Sequence, residues 1–199
     1  MALRRKYRGV ARQGHDEGRM KIILMAPLLA LTVLCAGTAR ADLEPVDCGS
    51  TSFAMSGEGY LVDCERTDDS FHVGESSGSS TTEVMSVTTD DRTIFMTMVG
   101  QLITAPRIYM EHRGLKQSFE DMFNEKDVTA WKSIGRKDGY EVAEFTRDIS
   151  GSESHCITVQ RYGNPLHVGF KRHIVGMGCT TGDVEAVYKL LEKIDAPGD

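Results

Sequence analysis

Apolar residues near the C-terminal end recur at three- and four-residue intervals: Val184, Val187, Tyr188, Leu191 and Ile194 fall on one stripe. That is the repeat of an amphipathic helix. Thr180 with Asp183 reads as a capping box, acids occupy the first turn, Lys189 and Lys193 lie near the last, and Pro197-Gly198 ends the element. Leu115, Phe119, Met122 and Phe123 show the same spacing downstream of the break at Ala105-Pro106, so a short helix is predicted over 114–124.

Elsewhere the period shortens to two. Tyr60, Val62 and Cys64 alternate with Leu61, Asp63 and Glu65, which predicts a strand over 60–66. Segments 83–89 and 93–103 are rich in β-branched and large apolar residues around Asp90-Asp91-Arg92 and read as a hairpin. In its second arm Ile94, Met96 and Met98 alternate with Phe95, Thr97 and Val99, so both faces are apolar and the strand is expected to be central. Four further strands are expected over 129–134, 140–148, 155–162 and 166–175, separated by Lys137-Asp138-Gly139, Ser150-Gly151-Ser152 and Gly163-Asn164-Pro165. Segment 42–59 reads as an irregular lead-in, and 74–82 as a mobile Gly/Ser/Thr loop. Runs of strands with helices set apart give an α+β fold: a mainly antiparallel sheet of about five to seven strands, one short helix, and a C-terminal amphipathic helix, the sheet packing one face on helices.

The run 22–36 is apolar apart from Thr32, follows Lys21 and ends near Ala39-Arg40-Ala41. Its length of about fifteen residues is short of the roughly twenty that span a bilayer, and the pattern predicts a signal peptide over 1–41, cleaved after Ala41, with translation starting at Met20. Residues 42–199 then form a single disulfide-bonded domain, a length that buries roughly 70% of the unfolded surface. This part carries 15 Lys and Arg against 27 Asp and Glu, a net charge of −12. Such a charge repels phosphate backbones and anionic lipid, so neither nucleic acid nor membrane is expected as a partner.

Loss of Cys35 leaves Cys48, Cys64, Cys156 and Cys179. An even number in an oxidising compartment implies two disulfides; three connectivities are open, and neighbours in sequence are favoured. The chain has no Cys-x-x-Cys, and the nearest two of these four cysteines are sixteen residues apart, which argues against zinc and thiol-redox chemistry.

Candidate chemistry is sparse. His155, His167 and His173, with Cys156 and Met177, invite a metal site but lack ligand spacing. Met96 and Met98 resemble a soft-metal thioether pair yet fit a strand core better, as Trp131 does. His-Glu-x-x-His and the phosphate- and dinucleotide-binding glycine loops are missing. Arg147, Arg161, Lys171, Arg172 and His173 cluster late in the chain; if Arg161 shares an exposed face with Lys171 or His173, the strip would hold an anion or an acidic partner.

The order of export segment, two disulfides and α+β body resembles small exported proteins of Gram-negative bacteria, with no family-specific motif. The expectation is a periplasmic or secreted, non-enzymatic module without cofactor, binding a protein or small molecule of the envelope through its sheet face or the 74–82 segment. A hydrolase with a scattered site and a periplasmic metal-binding protein are the alternatives.

Overall fold

The hairpin predicted around Asp91 shows how side chains set this topology. The Asp91 carboxylate accepts hydrogen bonds from the Thr89 hydroxyl at 2.6 Å and from the Thr93 amide and hydroxyl at 3.1 and 2.9 Å. Arg92 beside it takes a left-handed φ of 58°, and the chain reverses there. The computed structural model describes residues 43–125, 128–149 and 151–196. The signal segment expected over 1–41 and the helix stop at Pro197-Gly198 lie outside the described residues.

Among the described residues ten strands and two α-helices follow one another: β1 (Glu44–Val46), β2 (Ala54–Met55), β3 (Tyr60–Val73), β4 (Ser76–Thr89), β5 (Ile94–Thr104), α1 (Leu115–Phe123), β6 (Thr129–Lys137), β7 (Tyr140–Ile149), β8 (Ser152–Tyr162), β9 (Arg172–Thr180), α2 (Glu185–Leu191) and β10 (Ile194–Asp195). A single 3₁₀ turn at Cys48–Ser50 joins the first two strands. Eight strands form one antiparallel sheet in the order β1-β3-β4-β5-β9-β8-β7-β6, and β2 pairs with β10 separately. The fold is therefore α+β as expected, but the sheet has eight strands, not five to seven. Segment 42–59 supplies two short strands where an irregular lead-in was predicted.

Residues 74–82 are a second departure. They are not a loop, because Ser76 onward is β4, paired with β3 from Val73↔Ser76 to Tyr60↔Thr89. Gly78 is needed for close approach rather than for a turn, since a Cβ there would stand 2.2 Å from the Ala105 Cβ where the chain leaves β5. The ninth strand was also predicted too early. Residues 166–171 form a turn, and the strand extends through Gly176 and Gly178 to Thr180.

Those two glycines explain how α2 docks. A Cβ at Gly178 would lie 2.6 Å from Val187 Cγ1, and one at Gly176 would lie 2.3 Å from the Met98 sulfur. Their absent side chains leave a shallow seat that Val187, Leu190 and Leu191 fill against Met85, Met96, Met98, Ile157 and Val159. The opposite face holds a second core of Val99, Phe119, Phe123, Phe145, Val175 and Met177, which α1 covers. The two helices thus take opposite faces of the sheet, correcting the expectation that one face packs on helices. Successive residues on β7, β8 and β9 alternate between these faces, so sheet parity assigns every side chain to one face or the other.

Helix ends follow chain chemistry. Asn124 closes α1 at φ 51° with its amide on Glu120 O at 2.9 Å. The predicted capping box does not form: Thr180 ends β9 and its hydroxyl accepts from Gly182 N, while Asp183 alone accepts from Glu185 N, both at 3.0 Å. Asp138 and Gly139 have φ of 52° and 81° between β6 and β7, the two left-handed positions of a tight hairpin. The outer strand β6 is interrupted twice in its register with β7, which blunts that edge against pairing with other chains.

Candidate functional site

Two disulfides tie the sheet: Cys48 to Cys64, with Cα atoms 5.2 Å apart, and Cys156 to Cys179, at 4.1 Å. The first fastens the segment after β1 onto β3. The second joins directly opposed residues of β8 and β9 beneath α1.

The proposed basic strip does not assemble. Tyr162, not Arg161, lies opposite His173 in the β8–β9 ladder, so Arg161 projects from the other face. There its guanidinium stacks on Tyr140 at 4.7 Å and donates to Ala196 O, beside an open groove of about 370 Å³ next to Leu191 and Ile194. Lys171 donates to Ala105 O and Ile108 O and stands 4.0 Å over Tyr109. It is committed to holding the 105–110 segment. His173 is only 7% exposed.

His173 anchors an aromatic cluster on the α1 face. Its ring stacks on Tyr162 with centroids 4.1 Å apart, and Tyr162 in turn meets Phe170 at 4.6 Å and His112 at 4.9 Å. The Tyr162 hydroxyl accepts from Arg113 N at 2.9 Å, and Gln160 Nε2 donates to Arg113 O at 3.1 Å and Glu141 Oε2 at 2.7 Å. Burial, with the charges of Arg113 and His112 adding to it, pushes the His173 imidazole down to about 4. The unfolded imidazole gains its proton near pH 6.5 and the folded one only near pH 4, so the unfolded state holds more protons between them. Stability present above pH 6.5 is therefore lost as the pH falls through this window, by about 3 kcal/mol. Urea unfolding at pH 7 and pH 4 should show the drop in the native protein and a markedly smaller one in His173→Phe. Equal acid sensitivity in the two would refute the assignment.

The histidines do not converge. His155 pairs with Thr180 at one end of the β8–β9 ladder and His173 with Tyr162 at the other, seven residues or about 23 Å away. Cys156 is bridged, and the Met177 sulfur meets Arg147 Nη1 at 3.7 Å. Among the described residues no three His, Cys, Asp or Glu side chains gather as metal ligands would.

On the α2 face, sequence reading passed over Glu83, Ser52 and the separate position of Arg172. Glu83 is buried, and its Oε2 accepts from Ser52 N at 3.0 Å and from the Ser52 hydroxyl, while Arg66 stands 3.7 Å from Oε1. Arg66 makes its closer, forked contact to Asp68 at 3.0 and 3.1 Å. Beside Glu83 lies a small cavity of about 40 Å³ bounded by Ser52, Thr81, Gly100, Leu102, Arg172 and Ile174. Glu83 could have been noticed from its position two residues before Met85 and four before Val87, an acid on a strand's buried face.

No protein-family model, curated protein or solved structure matches this chain.

Proposed function

We propose that this is an exported periplasmic protein that works as a non-enzymatic docking module, binding a partner protein through one end of its sheet. The export segment read over 22–36 and the two disulfides support the location. No described helix is long and apolar enough to cross a membrane.

One observation carries the docking role. Val73, Leu166 and Val168 are 61%, 48% and 66% exposed, three of the five exposed large apolar side chains among the described residues, and the topology brings all three to the same end. Val73 tips the β3–β4 hairpin, whose Gly78 packs on Ala105; the segment from Ala105 runs on to Met110, which bridges Phe170. Leu166 and Val168 sit on a turn that is held firmly. Leu166 and Gly169 exchange backbone hydrogen bonds at 2.9 and 3.3 Å, and Gly163 N donates to Arg172 O at 3.0 Å. Apolar side chains presented on an ordered turn lose little entropy on binding. The acidity of residues 42–199 disfavours an anionic lipid surface, so a protein with a complementary apolar patch is the fitting partner.

A photo-reactive residue placed at position 168 or 73 should give an adduct of the same mass in the native compartment, and Leu166→Ser should abolish it. Position 189, on the exposed side of α2, serves as control. Equal labelling at all three positions, or none at 168 and 73, would refute this docking end.

A further inference from the structure

We propose that the partner in the docking reading above adds a strand to the free edge of β3 at positions 67–73, with a lysine or arginine opposite Asp69. On its outer side β3 is covered only by β1, which pairs with residues 64–66. Toward β4 its register runs without a break from Tyr60↔Thr89 to Val73↔Ser76. Backbone groups of an antiparallel ladder point alternately to the two sides. Asp90 N donates to Gly59 O, so the odd positions of β3 bond to β4. The amides and carbonyls of Asp68, Ser70 and His72 therefore face outward, unpaired among the described residues. Such a row is a template for another strand. The opposite edge, β6, is broken twice in register, whereas β3 has neither bulge nor proline here.

Side chains define the strand that fits. The row of Glu65, Val84 and Val99 lies on the α1 face, so Asp69, Phe71 and Val73 line that side of the edge. Asp68, on the other side, is held by Arg66 and the Thr81 hydroxyl. Asp69 is exposed and enters no hydrogen bond or ion pair among the described residues. An incoming strand gains by placing a cation opposite Asp69 and apolar side chains opposite Phe71 and Val73. A second copy of this chain fits poorly, because its own Asp68 and Asp69 would come against these, between bodies that each carry 27 acids and 15 bases over residues 42–199. The two aspartates thus turn away an acidic strand and admit a basic one. Val73 closes this edge and belongs to the docking end, on which the assignment rests.

The peptide acetyl-Val-Thr-Val-Thr-Lys-Thr-Thr-amide, titrated into nitrogen-15-labelled protein recovered from its native compartment, should bind saturably and shift the amides of Asp68, Ser70 and His72 most. Ser70→Pro removes an outward amide without touching the β4 ladder and should abolish binding, while Ser70→Ala retains it. Glutamate in place of the peptide's lysine should weaken binding about fivefold or more. No saturable binding, equal binding by Ser70→Pro, or equal binding of the glutamate peptide would overturn the proposal. If Ser70→Pro does not fold, Asp69→Lys decides, and should prefer the glutamate peptide. The adduct formed from position 168 in the native compartment should vanish in Ser70→Pro and persist in Ser70→Ala. Its persistence in Ser70→Pro would sink the edge and spare the docking end; peptide binding without any adduct from 168 would sink the docking end alone. A dimer of the native protein that Ser70→Pro dissolves in sedimentation would give the edge to a second copy and refute the basic partner.

Discussion

Phe119→Ala is expected to destabilise the protein by about 4 kcal/mol, within the range found when a fully buried phenylalanine is removed. Phe119 is 0% exposed and is the centre of the α1 core, with ring centroids 5.0 Å from Phe145 and 5.7 Å from both Phe123 and Trp131. Alanine would leave a void that these rings cannot close, because Phe145 is fixed in β7 and Trp131 in β6. Helix α1 has only nine residues and begins at Gly114 without a side-chain cap. So short a helix is marginal by itself and depends on this contact. Guanidinium unfolding should show the loss, with Phe119→Leu costing about 1–2 kcal/mol as a smaller change of volume. A loss below about 1 kcal/mol for alanine would mean that α1 is held by something other than its aromatic stripe.

Removing the Cys156–Cys179 bridge by double replacement with alanine should cost about 3–5 kcal/mol. The bridge closes a segment with a sequence separation of 23, for which chain entropy gives about 3.4 kcal/mol, and both sulfurs are wholly buried. Cys48–Cys64, at a separation of 16, has a nearly equal entropic term of about 3 kcal/mol. Its setting differs, because it fastens a peripheral segment to β3 rather than joining two interior strands. Loss of Cys156–Cys179 should lower the global unfolding midpoint, while loss of Cys48–Cys64 should also raise amide exchange over residues 43–55. Equal exchange there in the two variants would argue against this division.

Features written in local chemistry were legible in the sequence. The Asp91 turn, the two-sided apolar pattern of β5 and the stripe of α1 each depend on neighbours a few residues away. What stayed hidden was relational. The outer half of β3 and β4 is polar on both faces, so Asp68 and Asp69 and the facing Thr81 and Ser80 carry no apolar alternation to read. Gly78, Gly176 and Gly178 resemble turn signals until one knows that Ala105, Met98 and Val187 press against them. The supposed strip failed by one residue of register, since Tyr162↔His173 sends Arg161 to the opposite face.

The paired notches at positions 176 and 178 also bear on ancestry. Any descendant that keeps its last helix in the same berth must leave both places bare, whatever happens to the loops and the charged exterior. Two vacant spots, spaced by one methionine and facing a methionine-rich strand, would thus outlast most of the chain's other lettering and give distant kin a trait by which to be known.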